Sequence, residues 1–308
     1  MPKFSIVIPL YNKEKAIART LKSVFAQTFD DYEVLVVNDG TTDNSEAVVR
    51  TFKNNKLRLI SQENAGAAAA RNTGIAHANG KFIAFLDADD LWNPDYLKKQ
   101  AKAIAKFPNH GVFATAIYVE NQRKKPQPAV YNFQLPTAPT PLDYFENSLK
   151  RSIIHTSAVV IKKEVFDQVG TFDTSIKSGE DTDLWIRIGL HHQIVFTSEM
   201  LSTYTYNAGS LSYRPIALEQ RLNFKKFEKE EMHHKALKKF LDLNRFSLAL
   251  LAKESGNTTD FKQLIAALDK TNLNSKQNFL LKLPGFGIRW MRKIKRASEK
   301  VGIRLSPF

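Results

Sequence analysis

The chain has 308 residues, of which 43% are hydrophobic and 25% charged, a balance that fits a folded globular protein and excludes an extended, disordered one. It contains no cysteine, which excludes disulfides and thiolate metal sites and fits the cytosol. The net charge of +14 is uneven: residues 276–308 hold nine basic side chains and one acid, a local charge of +8 that points to an anionic partner, either nucleic acid or a membrane surface.

Met1-Pro2-Lys3-Phe4-Ser5 runs straight into a strand-like segment without a signal-peptide layout. No apolar run approaches the ~20 residues that span a bilayer. Phe4 to Pro9 is a short, mostly apolar stretch, read as a buried parallel strand. From Lys13 to Gln27, Ala16, Ile17, Thr20, Leu21, Val24 and Phe25 share one helical face. Tyr32 to Val37 is a second strand, Thr42 to Phe52 is helical in period, and Leu57 to Ile60 is a third strand. Ala67 to Ala78 is alanine-rich and favours helix. Lys81 to Leu86 is a fourth strand, and Asn93 to Phe107 a helix with Pro94 at a tolerated early position. This alternation predicts a parallel sheet with helices on both faces. Five prolines between Pro126 and Pro141 predict a loop or an edge-strand excursion. Order resumes at Ser157 to Ile161, followed by a short helix, the turn at Gly170-Thr171-Phe172-Asp173, and a helix from Leu184 to Leu190. Beyond about residue 216 the pattern is helical and charged.

In an open parallel sheet, ligands bind outside the carboxyl ends of the strands. Three early strands end in polar clusters: Pro9-Leu10-Tyr11-Asn12, Asn38-Asp39-Gly40 and Asp87-Ala88-Asp89-Asp90. Their convergence on one edge says more than any one of them. Taken alone, Asp39-Gly40 reads first as a turn, and Tyr11 as packing. Asp87, Asp89 and Asp90 offer hard oxygen ligands suited to Mg²⁺ or Mn²⁺, against the alternative of a helix N-cap at Asp90. Arg71 lies just inside a helix that starts after Gly66, where backbone N–H groups favour phosphate, although a solvated arginine is the plainer reading. Gly179-Glu180-Asp181-Thr182-Asp183 is what a helix N-terminus favours, and it also offers a carboxylate base for an attacking hydroxyl. His155, His191 and His192 are isolated and read as surface or packing residues.

Taken in order, these segments resemble the family-2 glycosyltransferases of GT-A fold, from about Phe4 to Ser212. The marks are Ser5 to Asn12, Val37-Asn38-Asp39-Gly40 with Thr41 to Ser45, Ala70-Arg71-Asn72, Phe85 to Asp90, and Gly179-Glu180-Asp181 with Asp183 to Arg187. The resemblance implies that Pro9, Tyr11 and Asp39 hold the nucleobase, Arg71 faces the diphosphate, Asp87 contacts the ribose side and Asp89 the metal, Mn²⁺ or Mg²⁺. Asp181 would be the base, and Glu180 would help position acceptor or sugar. The chain departs from the family pattern twice. Asn38-Asp39-Gly40-Thr41 stands where many relatives have an acid pair. Tyr204-Thr205-Tyr206-Asn207 stands where many carry a basic residue and a histidine. The absence of Gln-x-x-Arg-Trp argues against a processive synthase.

The expectation is therefore an α/β protein with a mixed, mainly parallel GT-A sheet over residues 1–215 and a helical C-terminal region over 216–308. The implied activity is inverting transfer of a hexose or N-acetylhexosamine from a nucleotide sugar, a UDP-sugar first, to a glycan or lipid-linked acceptor in cell-surface polysaccharide synthesis. The tail, as a basic amphipathic helix over 286–302 with Ile288, Met291 and Ile294 at helical spacing and Trp290 at the water–lipid boundary, would rest on an anionic membrane at its cytoplasmic side. Two rivals are a non-catalytic sugar-nucleotide-binding scaffold and a nucleic-acid binder. The second lacks an interleaved aromatic platform, so no nucleic acid is expected.

Overall fold

The structure is a computed structural model that describes residues 2–121, 123–206 and 220–301, with side chains to residue 294 in the last stretch. It divides into two compact units, residues 1–214 and 215–308.

The first unit is built on one mixed sheet. Strands β1 (Phe4–Leu10), β2 (Tyr32–Asp39), β3 (Leu57–Gln62) and β4 (Phe82–Phe85) lie parallel in the order β3-β2-β1-β4. The order reverses between β1 and β4, which opens a crevice at their carboxyl ends. Helices α1 (Ile17–Phe25), α2 (Ser45–Arg50) and α3 (Ala67–His77) connect them.

Side chains alternate across a strand, and β1 shows what each face carries. Phe4, Ile6, Ile8 and Leu10 join a core with Ile17, Leu21 and Val24 of α1 and with Leu97 and Ile104 of α4 (Tyr96–Lys106). Val7 points the other way, against α3. There Gly74 lets the helix come close: a β-carbon at that position would lie 2.2 Å from Val7 Cγ1.

Beyond β4 the sheet changes direction. β9 (Val159–Lys162) runs antiparallel to β4 and to β6 (Val112–Glu120), and β10 (Ile194–Tyr204) then runs parallel to β6. The short β5 (Leu91–Trp92) pairs antiparallel with β10. The sequence reading had no strands at β6 or β10, although both are apolar runs rich in β-branched and aromatic residues. The proline-rich stretch supplies two edge pieces: β7 (Pro126–Pro128) against β6, and β8 (Thr140–Leu142) against β10. Helices α5 (Tyr144–Asn147), α6 (Lys163–Val169) and α7 (Glu180–His191) complete the unit. On the α3 side, Phe172 packs edge-on against Phe85 at 5.4 Å and Trp185 at 6.1 Å between ring centroids.

The second unit is helical: α8 (Glu228–His233), α9 (Lys235–Ser255), α10 (Thr258–Ala266), α11 (Ser275–Lys282) and α12 (Gly285–Val301). Phe246, Ala249, Leu250, Leu280, Leu281 and Ile288 form its core. Among the described residues, no helix is long and apolar enough to cross a membrane.

The Gly74 approach generates a stability prediction. Alanine in a helix is favoured over glycine by about 1 kcal/mol, but overpacking a filled core costs about 1–3 kcal/mol. With the new methyl inside the radius of Val7, overpacking wins. Gly74→Ala should lower the urea midpoint, and adding Val7→Ala should recover part of the loss; a Gly74→Ala protein as stable as the parent would refute the close contact.

Candidate active site

The loops after β1 and β2 are laced together. Asn12, at a φ of 50°, accepts a hydrogen bond through Oδ1 from the Thr42 backbone N–H (2.9 Å), and its own N–H donates to Thr41 Oγ1 (2.9 Å). Asp43 accepts from the Glu14 N–H (3.0 Å), the Ser45 N–H (2.9 Å) and the hydroxyls of Thr41 and Ser45. Burial alone would raise the Asp43 pKa, but the donors from Ser45, Glu14 and Thr41 outweigh it and hold the carboxyl at about 2. Tyr11 projects from this rim, 46% exposed. Pro9 is half-buried at the end of β1.

Asp39 is buried and anchors the entrance to α3. Its Oδ1 accepts from Gln62 Nε2 (2.8 Å) and the Ala65 N–H (2.9 Å), and its Oδ2 accepts from the Gly66 N–H (2.8 Å). Two of these donors are backbone groups at a helix start, which would otherwise lack partners.

Arg71 is the hub of the site. Its Nη2 lies 2.8 Å from Asp87 Oδ1 and its Nη1 3.2 Å from Glu180 Oε1. The guanidinium rests 5.3 Å over the Phe172 ring, where the face of the ring favours a cation. Its neighbour Asn72 locks the same turn, donating to Phe172 O (2.8 Å) and accepting from the Phe172 N–H (3.0 Å). The Arg71 pKa is raised: burial would lower it, but Asp87 and Glu180 prevail. For Asp87, burial pulls upward but Arg71 wins and holds the carboxyl below its ordinary value. Glu180 is pushed up, first by burial and then by Asp181, with Arg71 opposing.

The acidic knot after β4 separates by environment. Asp89 forms an ion pair with Lys13, and Thr205 donates through its hydroxyl to the Asp89 carbonyl. Asp90 is fully buried. It accepts from Ser157 Oγ (2.6 Å) and the Thr205 N–H (2.9 Å), while its carbonyl accepts from Thr20 Oγ1 (2.9 Å). Burial, with Asp87 and Asp89 adding repulsion, raises its pKa well above its ordinary value, against the hydrogen bonds from Ser157 and Thr205. The N-cap alternative for Asp90 fails, since the cap position of α4 belongs to Asp95.

Asp181 opens α7 after Gly179, whose φ of 90° suits glycine. Its Oδ1 accepts from the Thr182 N–H (2.6 Å), and its Oδ2 takes no hydrogen bond from the described residues. The carboxylate lines a cleft of about 350 Å³ with Lys150, Arg151, His155 and Trp185. His155 Nδ1 accepts from the Ser157 N–H (3.3 Å), and the ring packs edge-on to Tyr204 at 5.2 Å. With Nδ1 accepting, the neutral ring carries its proton on Nε2. Burial lowers the His155 pKa, with Asp87 and Asp181 pulling the other way.

Residues 5–170 match the Glycosyl transferase family 2 profile. The chain belongs to glycosyl transferase family 2. An uncharacterized glycosyltransferase of Rickettsia typhi is 26% identical over 316 residues, covering 96% of this chain and 98% of its own. The UDP-Glc:alpha-D-GlcNAc-diphosphoundecaprenol beta-1,3-glucosyltransferase WfgD of Escherichia coli is 42% identical over 103 residues, 33% of this chain and 41% of WfgD. The fold is similar to that of S. aureus TarS 1-349 in complex with UDP-GlcNAc, with a TM-score of 0.69 and 22% identity over 98% of this chain and 92% of that one.

In this family-2 enzyme, the fold gathers Pro9, Tyr11, Asp39, Asp87 and Asp89 on one edge, and Arg71 ties Asp87 to Glu180, next to Asp181. The guanidinium expected to face the diphosphate gives both terminal nitrogens to carboxylates. His155, read from sequence as isolated, lines the cleft with Asp181. Its placement follows from β9 running antiparallel to β4, so the residues before β9 arrive where β4 ends. Tyr206 is held through its N–H to Glu120 Oε2 (3.2 Å), whereas Asn207 lies outside the described residues.

Among the described residues there is no group of three His, Asp or Glu side chains that could cage a metal alone. A divalent ion that takes most of its ligands from a diphosphate needs only one or two carboxylates. Asp89, with Asp87 two residues before it, fits that smaller demand, and its carboxylate pairs with Lys13.

Asp43 gives a pH prediction. Its folded pKa of about 2 lies below the model-compound value of 3.8, so its contribution is complete above the latter and fades as pH falls through the former. Asp43→Asn should therefore be less stable than the parent in urea at about pH 5, with the gap closing toward about pH 2. A gap that persists unchanged into acid would overturn this reading of the loop.

Proposed function

We propose that the enzyme is an inverting glycosyltransferase that moves a hexose or N-acetylhexosamine from a nucleotide sugar, a UDP-sugar in the first instance, to a hydroxyl of a glycan or lipid-linked acceptor in cell-surface polysaccharide assembly. The observation that carries it is Asp181, with one carboxylate oxygen unengaged in an open cleft, beside Glu180 and the Arg71–Asp87 pair. The UDP-GlcNAc complex of the TarS structure and the lipid-linked substrate in WfgD's name support the same reading.

In this mechanism Pro9, Tyr11 and Asp39 hold the base. Asp87, fixed by Arg71, contacts the ribose side. The acceptor hydroxyl gives its proton to Asp181 Oδ2 while its oxygen bonds to the anomeric carbon. The bond from that carbon to the diphosphate oxygen breaks on the opposite face, which inverts the centre. Glu180, anchored by Arg71, positions the sugar or acceptor. When bound, Mn²⁺ or Mg²⁺ at Asp89 would neutralise charge on the leaving diphosphate as a Lewis acid. Lys13 pairs with the same carboxylate and orients it.

A panel of nucleotide sugars with Mn²⁺, scored by nucleoside diphosphate release, tests the reading. Asp181→Asn should lower turnover by about 10²–10⁴-fold with UDP affinity nearly unchanged. Asp89→Ala should remove transfer and weaken UDP binding, as a chelator should in the parent. Near-normal turnover in a folded Asp181→Asn protein would refute the base assignment.

The tail supports peripheral attachment to an anionic membrane at the cytoplasmic face, through Trp290 and Ile294 of the face that the sequence suggested, joined by Phe286 in place of Ile288 and Met291. Ile288 is 3% exposed and belongs to the second unit's core, with Met291 packed against it. Phe286 (69%), Trp290 (65%) and Ile294 (40%) instead present an apolar stripe at i, i+4, i+8, beside Arg289 and Lys293. Aromatic residues set among cations are suited to an interface, where each basic side chain contributes about 1 kcal/mol. The parent should co-sediment with anionic vesicles at low salt but not with neutral ones, and Phe286→Ser/Trp290→Ser should abolish this. Equal recovery of parent and variant under all conditions would remove the membrane role.

A further inference from the structure

The cleft beside Asp181 carries more positive charge than an uncharged sugar requires. Lys150 and Arg151 line it, and among the described residues neither is ion-paired to a carboxylate. The cations elsewhere in the site are already committed: Lys13 to Asp89, Arg71 to Asp87 and Glu180, and Arg187 to Asp183.

The loop that presents them is built rather than loose. Asn132 Oδ1 accepts from the Leu149 N–H (3.1 Å) and the Lys150 N–H (3.4 Å), and Asn132 Nδ2 donates to Glu146 O (2.9 Å). Ser148 Oγ accepts from the Ile153 N–H (3.1 Å), and Ser152 Oγ donates to Ile154 O (2.7 Å). Ile153 and Ile154 are buried and pin the segment to the core. Two uncommitted cations are thereby held next to the Asp181 carboxylate. That carboxylate would repel an anionic acceptor, and Lys150 and Arg151 supply the opposing attraction. Arginine offers a forked donor suited to phosphate oxygens, and lysine a point charge.

We propose that Lys150 and Arg151 form a phosphate-binding subsite on the acceptor side of the cleft, so that the acceptor carries a phosphate or diphosphate close to the hydroxyl facing Asp181. This rests on the transferase reading above and adds the chemical class of the acceptor. The phosphate could belong to a lipid diphosphate or to a phosphodiester-linked polymer.

The test is a binding titration on the full chain saturated with UDP and Mn²⁺, which fills the nucleotide side. The probes are pyrophosphate, a short soluble prenyl diphosphate and a glycerol phosphodiester. The parent should bind at least one of them. Lys150→Gln/Arg151→Gln should weaken that binding by about tenfold or more, while a charge-matched Lys102→Gln/Lys106→Gln control on α4 should not. Tighter binding of the prenyl diphosphate assigns a lipid-linked acceptor, and tighter binding of the phosphodiester assigns a polymer. Absence of binding in the parent, or equal binding in the parent and the Lys150/Arg151 variant, overturns the subsite. UDP affinity is read in the same protein beforehand, so failure of the nucleotide-sugar reading is seen separately. Thermal melting of each variant confirms that it is folded.

Discussion

One buried guanidinium organises the site. Arg71 leaves α3 and meets a carboxylate from the end of β4 and another from the start of α7, two elements more than ninety residues apart in the chain. Removing one member of such a buried pair costs about 3–5 kcal/mol, because the remaining charge has lost its partner. Both carboxylates therefore depend on Arg71 for their position, and the aromatic ring of Phe172 completes its seat. Asn72 bonds the same turn from the adjacent residue, so α3 is fixed against it by charge and by a two-way amide contact.

The second constraint is the unequal treatment of three acids within four residues. Asp87 has its carboxyl held below its ordinary pKa by Arg71, Asp89 is paired with Lys13, and Asp90 is pushed toward its neutral form by burial and by its two neighbours. A third negative charge at that spacing would oppose the other two in a low-dielectric setting. Asp90 instead joins the end of β10, the turn before β9 and α1 through Thr205, Ser157 and Thr20. The knot is thus part ion-pair partner and part rivet.

Much of this was legible in the sequence. The parallel half could be read because its strands are uniformly apolar and its helices are amphipathic or alanine-rich, so periodicity separates them. The residues on its carboxyl edge followed from the doubly wound rule. What escaped was the half in which the sheet reverses. Nothing in Val159–Lys162 declares its direction, and direction decides which flank reaches the site. His155, Lys150 and Arg151 were hidden for that reason, since they precede a strand whose antiparallel direction brings its start, not its end, to the site. The tail misled in another way. Ile288 and Met291 have the spacing of an exposed amphipathic face, but the same spacing serves a helix that must cover a small helical core, and burial is not encoded by period alone. Asp39 and Arg71 were found by position, whereas their bonding to Gly66 and Glu180 required the fold.

The reversal at β9 also separates the site by ancestry along the chain. Everything on the crevice side of β4 comes from the first ninety residues, while the cleft around Asp181 is furnished by a short loop before β9 and the first turn of α7. The first turn of α7 meets the earlier half through Arg71, while Asn72 and Asp90 hold the neighbouring turns at Phe172 and Ser157. The loop from 148 to 155 can therefore change the charge it presents at Lys150 and Arg151 without disturbing the bonding around Asp39 and Asp43. A scaffold divided in this way can hold one half of its chemistry constant while drifting from one partner molecule to another in the other half.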